Sequence, residues 1–140
     1  TVNVMQLATC NNNQPWICNL HYFSDDALNI YWLSTPERRH SKELLTNPKA
    51  AITIKVHENT PDEDYVIGIS LEGLAEPFEE KEAAVLAKKY QAKLGTNEAF
   101  IESVVEGQNP HVFYKFTPAN VVLFDNKDFP DDSRQEWRLR

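Results

Sequence analysis

The chain has 140 residues, 41% hydrophobic and 25% charged, with a formal net charge of −7 at pH 7, the proportions of one ordinary soluble domain. That acidity opposes the non-specific phosphate attraction on which nucleic-acid binders depend, and its short apolar runs fall below the roughly 20 residues needed to span a bilayer. Neither a nucleic-acid partner nor a membrane is expected, the polar first residues do not read as a signal peptide, and the expected location is cytoplasmic.

Met5 and Leu7 lie on a first strand that leads into a polar turn from Asn11 to Gln14. Trp16, Cys18, Leu20 and Tyr22 then alternate with Ile17, Asn19, His21 and Phe23 at strand period. One face of this second strand is apolar and the other mixed, and the mixed face, with Asn19 and His21, is where a ligand is expected. Symmetric pairing about the turn puts Cys10 near Pro15 and Cys18 near Leu7. The two cysteines are therefore expected as reduced packing residues, and no C-x-x-C, H-x-H or H-E-x-x-H spacing offers a zinc site. Ser24-Asp25-Asp26 turns the chain into a third strand carrying Leu28, Ile30 and Trp32.

Thr35-Pro36-Glu37 reads as a helix start, with a hydroxyl at the N-cap, Pro at the first position and an acid in the first turn; Asn47-Pro48 ends it. Ile52, Ile54 and Val56 predict a fourth strand. An acidic loop from His57 to Asp64 leads to a fifth, with Tyr65, Ile67, Ile69 and Leu71 on one face and a bulge expected at Gly68. Between Glu79 and Leu94 the period becomes helical, Ala83, Leu86, Ala87, Tyr90 and Leu94 sharing a face, and Gly95 is expected to close the helix. Thr96 is expected to cap a short helix carrying Phe100, Ile101, Val104 and Val105, closed by Gly107. Val112, Tyr114 and Phe116 predict a sixth strand that turns at Thr117-Pro118 into a seventh, Val121 to Phe124. The order predicts an α+β domain over residues 1–124, built on a small antiparallel split barrel of six to seven strands. A short helix follows its third strand and a helical pair precedes its last strands. Residues 125–140 read as a C-terminal tail that packs on the domain or on a dimer partner.

Arg38-Arg39-His40, with Lys42, concentrates cations at the start of the first helix, where the macrodipole disfavours each by about 0.3–1 kcal/mol. A bound anion resolves the conflict, since free N–H groups, the hydroxyls of Ser34 and Thr35 and an Arg fork make a phosphate cradle. A solvated basic face, with Arg39 paired to Glu43 four residues on, accounts for the same residues. Trp32 and Trp137 can stack on a flat ring, although packing is the commoner role of such residues. His57 and His111 read as surface or edge residues and Lys88-Lys89 as a solvated helix face.

The succession Leu7-Ala8-Thr9, Pro15 and the strand to Tyr22, Ile30-Tyr31-Trp32-Leu33-Ser34-Thr35, Arg39-His40 and Asn47-Pro48-Lys49-Ala50-Ala51 resembles the FMN-binding split barrel of the pyridoxamine 5'-phosphate oxidase-like superfamily. The segment from Phe124-Asp125-Asn126 through Trp137-Arg138-Leu139 resembles small members of it. The resemblance implies a homodimer with FMN at the subunit interface. It puts Arg39 and His40 where the family has an Arg-Lys pair on the phosphate, and Leu33, Ser34 and Thr35 at the strand end beside phosphate and ribityl. Asn19, Leu20 and His21 fall along the isoalloxazine ring, with Trp137 available to stack. His40 in place of Lys implies a phosphate contact that titrates near neutrality. The chain lacks the Arg-Leu-His-Asp-Arg-like stretch with which the true oxidases bind substrate phosphate. The implied activity is therefore flavin-dependent oxidation or reduction of an unidentified small molecule, not of vitamin B6. Alternatives within the same fold are a non-enzymatic flavin sensor, a cofactor-free scaffold, and a deazaflavin or haem protein.

Overall fold

The computed structural model describes residues 3–56, 58–78, 80–94 and 97–140; the expectations for His57, Gly95 and Thr96 lie outside them, as do those for the side chains of Ala83, Lys89, Tyr90 and Leu94. The elements in chain order are β1 (Val4–Asn11), β2 (Gln14–His21), β3 (Phe23–Ser24), β4 (Ile30–Ser34), α1 (Arg39–Thr46), β5 (Lys49–Lys55), β6 (Ile67–Pro77), α2 (Glu80–Leu94), α3 (Glu98–Val105), β7 (Val112–Asp125) and β8 (Arg134–Arg138). One antiparallel sheet has the order β2-β1-β5-β6-β7-β4-β3, with β8 added to β7. It curls into an α+β split barrel.

Hydrophobic patterning explains most of this. Asn12 and Asn13 both take positive φ, 50° and 61°, the conformation that a two-residue hairpin turn with the twist of its strands requires. The hairpin pairs Leu7 with Cys18 and Cys10 with Pro15 as expected, and both cysteines are free thiols. Alternation buries Met5 and Leu7 from β1, Ala50 and Ile52 from β5 and Leu71 and Ala75 from β6 in the barrel core. The continuous apolar run of β4 is buried on both faces. Ile30 and Trp32 enter the barrel core, whereas Tyr31 joins Phe23, Phe113, Ala87, Ile101 and Val104 in a second core beneath the helical pair. Each fully buried Leu, Ile, Met or Phe among them stabilises the fold by about 1.5–3 kcal/mol. Trp32, fully buried and stacked on Tyr114 with 5.7 Å between ring centroids, is a packing residue.

The barrel is split, as expected, with β2 and β3 at the two ends of the sheet, and Tyr22 N donates to Asn3 O at 3.2 Å, extending the β1–β2 ladder beyond Val4 and His21. The structure corrects several other expectations. Thr117-Pro118 is not a turn, since β7 runs through it unbroken. Pro118 falls between the residues of β7 paired with β4, ending at Phe116, and those paired with β8, starting at Asn120. The missing N–H there interrupts neither ladder. The bulge lies between Glu72 and Gly73 rather than at Gly68. Helix α1 opens at Arg39 instead of Pro36, because Thr35-Pro36-Glu37 forms a turn closed by Arg38 N on Thr35 O, 3.2 Å. Helix α3 is capped by Asn97, whose Oδ1 accepts from Phe100 N at 2.8 Å. The segment after β7 supplies the eighth strand. Among the described residues no helix is long and apolar enough to cross a membrane.

Candidate functional site

The end of β4 and the beginning of α1 meet β2 along a groove of about 490 Å³. From β2 come Trp16, Cys18, Asn19 and Leu20; from the end of β4 and the residue after it Leu33, Ser34 and Thr35; from the helix entry Arg38, Arg39 and His40; and His111 precedes β7. Tertiary packing explains the convergence. Ser34 is the last residue of a strand buried on both faces, so its hydroxyl is carried to the edge of the core at 5% exposure. The turn at Thr35 to Arg38 then reverses the chain so that α1 packs across β1 and β2.

The two residues expected at a phosphate have different surroundings. Arg39 Nε donates to Glu43 Oε2 at 3.0 Å, and the guanidinium carbon lies 4.2 Å from the centroid of the Trp16 ring. Glu43 is 5% exposed, and its other oxygen accepts from Thr9 Oγ1 at 3.1 Å. The expected i,i+4 pair thus forms, while the Nη groups of Arg39 make no hydrogen bond among the described residues. His40 is 6% exposed, with Nε2 2.8 Å from Ser34 Oγ and Nδ1 3.5 Å from Cys18 Sγ. Burial and the Arg38 cation push the His40 pKa below its ordinary value against a smaller opposing pull from Glu43. Burial and the Glu43 carboxylate push the Cys18 thiol up. Both shifts favour a neutral thiol beside a neutral imidazole, the reverse of an activated thiolate pair. Within the chain, His40 thus has a neighbour at each ring nitrogen, Ser34 and Cys18.

Arg38, at the N-cap, is exposed and has no ion pair among the described residues. No side chain caps α1 and no acid lies in its first turn, so the positive end of the helix opens without compensation beside two hydroxyls and two guanidinium groups. In charge and hydrogen-bond polarity such an arrangement suits an oxyanion. Among the described residues no cluster of metal-ligating side chains was found.

Of the expected site residues, Asn19, Leu20, Leu33, Ser34, Thr35, Arg39 and His40 come together here. Two do not. His21 is exposed opposite Val4 at the end of β2. Trp137 lies on β8 opposite Val121 and, 47% exposed, lines a separate apolar cavity of about 380 Å³ with Tyr22, Ile30, Ile54 and Leu71. The face of β2 that enters the groove carries Trp16, Cys18 and Leu20, and not the mixed face; Asn19 joins them with its amide oxygen accepting from Gln6 Nε2 at 2.9 Å. Sequence reading also missed His111. Antiparallel pairing of Ser34 with Val112 is what brings it beside Thr35, and nothing local signals that. Its Nδ1 is 2.6 Å from Asn109 Oδ1, and its ring meets Phe100 edge-on with 5.4 Å between centroids.

The family model for pyridoxamine 5'-phosphate oxidase matches residues 1–124. Among curated proteins no sequence match was found. General Stress Protein 26 from Bacillus anthracis str. Sterne is similar in structure, with a TM-score of 0.68 at 18% identity over 99% of this chain and 91% of that one. A haem-binding protein from Mycobacterium smegmatis has a TM-score of 0.72 at 20% identity over 98% of this chain and 53% of that one, so this chain spans about half its length. A FAD-binding protein from Mesorhizobium loti has a TM-score of 0.59 at 19% identity, covering 85% and 83% of the two chains. At these identities the likeness is one of fold.

Proposed function

The chain belongs to the pyridoxamine 5'-phosphate oxidase family, and on that premise we propose that it is an FMN-binding oxidoreductase acting on a small molecule as a cytoplasmic homodimer. The observation that carries this reading is the donor set at the mouth of α1. An uncapped helix N-terminus, the hydroxyls of Ser34 and Thr35 and the guanidinium groups of Arg38 and Arg39 suit the terminal phosphate of FMN in charge and in hydrogen-bond polarity. The rest of the groove fits a flat, largely apolar ring, with Leu20, Leu33 and the Trp16 ring along it, and its volume lies in the range of small-molecule sites, about 300–1,000 Å³.

When bound, FMN supplies electron and hydride transfer. The chain's own residues bind and orient: Arg38 and Arg39 neutralise the phosphate, Ser34 and Thr35 donate to it, and Leu20 and Leu33 exclude water from the ring. Dimerisation has separate support from the outer face of the sheet, where Ala8, Cys10, Ala51, Leu74 and Ala119 form a shallow apolar depression. Small side chains there let a second sheet approach closely.

A haem reading rests on one observation: His111 has Nδ1 committed to Asn109, the arrangement that orients a metal-binding imidazole through its other nitrogen. One experiment separates the readings. The visible spectrum of the purified protein, before and after incubation with FMN and desalting, is expected to carry a flavin band at about one FMN per chain. A Soret band after haem loading, with no retained flavin, favours haem, and a protein that neither ligand colours refutes both. Anaerobic addition of reduced nicotinamide then tests catalysis, since an oxidoreductase bleaches its flavin and a passive binder does not.

A further inference from the structure

We infer that His40 is a positioning residue, which orients the Ser34 hydroxyl as a hydrogen-bond donor toward the anion in the groove and does not contact that anion itself. The inference rests on the anion-binding part of the function proposed above and assigns the residue that differs most from the cations around it.

Both ring nitrogens of His40 are engaged within the protein, Nε2 by Ser34 Oγ at 2.8 Å and Nδ1 by Cys18 Sγ at 3.5 Å, and the residue is 6% exposed. A neutral imidazole between these partners has two arrangements. In the first, Ser34 donates its proton to Nε2 and Nδ1–H points at the Cys18 sulfur. The serine then turns a lone pair toward the groove, which repels an anion, and the imidazole donates to a weak acceptor. In the second, the Cys18 thiol donates to Nδ1, Nε2–H donates to Ser34 Oγ, and the serine proton is free for the groove. A thiol is weak both as donor and as acceptor, but an unprotonated imidazole nitrogen is a strong acceptor for its S–H, and Cys18 is held toward its protonated form because burial and Glu43 raise its pKa. The second arrangement gives every group its better role and aims the last proton of the chain at the cradle. Ser34 has no other side-chain hydrogen bond among the described residues.

The charged groups around the ring agree with an uncharged relay. Arg38 at the helix entry opposes an imidazolium and Glu43 of α1 favours one, while Cys18 from β2 and Ser34 from β4 are neutral; burial and Arg38 prevail. With the pKa lowered, the ring keeps its neutral form to lower pH than an ordinary histidine, whereas a protonated histidine bound directly to phosphate would be held charged to higher pH.

The test uses full-length protein labelled with ¹⁵N-histidine, in which long-range ¹H–¹⁵N correlations report the tautomer of His40, assigned by the disappearance of its signals in His40→Gln. The Nε2–H form is expected with and without inorganic phosphate. An Nδ1–H form or an imidazolium overturns the inference. FMN and riboflavin titrations give a second readout. Ser34→Ala and His40→Phe are each expected to weaken FMN binding by about tenfold, the scale of one hydrogen bond to a charged group. The double variant should lose no more than either single one, and riboflavin should be unaffected. Losses that multiply in the double variant mean that His40 binds the anion on its own and refute the proposal. If His40→Phe does not fold, the tautomer in the unsubstituted protein decides. Failure of that protein to bind FMN refutes the cofactor reading, and the tautomer still decides the role of His40.

Discussion

Arg38 and Arg39 are neighbours in sequence with different tasks. Arg39 holds a buried carboxylate through Nε and lies over Trp16, whereas Arg38 is exposed at the helix entry. Arg38→Ala is therefore expected to weaken FMN binding by about 1.5–3 kcal/mol, the range for a charge-assisted hydrogen bond, with unchanged stability. Arg39→Ala should lose affinity and also about 1–3 kcal/mol of stability, because Glu43 loses a partner while staying buried. Lys88→Ala, on an exposed part of α2, should alter neither. Titration with FMN and urea unfolding of the three variants check this, and equal effects of all three would make the basic cluster a solvated face. The Arg39–Glu43 pair was legible in the sequence because i,i+4 spacing is local. The burial of His40 was not, because it depends on Cys18 and Ser34 arriving from two different strands.

At the scale of elements, period and punctuation located most strands and all three helices. The failures share a cause: a local signal was overridden by a neighbour distant in sequence. Thr117-Pro118 reads as a turn by composition, yet it lies inside β7 where the proline falls between two partner strands. Gly68 reads as a bulge, yet it pairs regularly with Lys55 and Phe124. The glycine that the fold needs is Gly73. A Cβ there would lie 2.1 Å from the carbonyl oxygen of Thr117, whereas one at Gly68 would come no closer than 3.3 Å to that of Ile54. Gly73→Ala is expected to cost about 2–3 kcal/mol, since backbone on the facing strand must move. Gly68→Ala should cost less than 1 kcal/mol or be slightly stabilising, because alanine lowers unfolded-chain entropy by roughly 0.4–1 kcal/mol. Urea midpoints of the two variants compare them directly, and a larger loss at Gly68 would contradict the placement of the bulge.

For the whole molecule, the proposed dimer places a second copy of the chain on the outer face of the sheet. Ala51 lies in the middle of that face, in register with Ala8 on β1 and Glu72 on β6. Sedimentation at micromolar concentration is expected to give a dimer, and Ala51→Arg, which sets a long cation in the depression, should give a folded monomer with weakened FMN binding. A monomer in the unsubstituted protein would remove the proposed interfacial position of the flavin. So would a variant that stays dimeric and binds as before.

The sequence by itself determined the α+β class, the hairpin register at the two cysteines, the helical pair and the basic entry to α1, because alternation, helical spacing, turn residues and charge act over a few neighbours. Only the tertiary structure decided that β7 is unbroken and that the apolar face of β2 enters the groove. It also decided that His40 is enclosed between Ser34 and Cys18 while His111 joins the lining. Each of these depends on which strands become neighbours, and pairing between segments far apart in the chain is set by how the two cores fill, which no local pattern encodes.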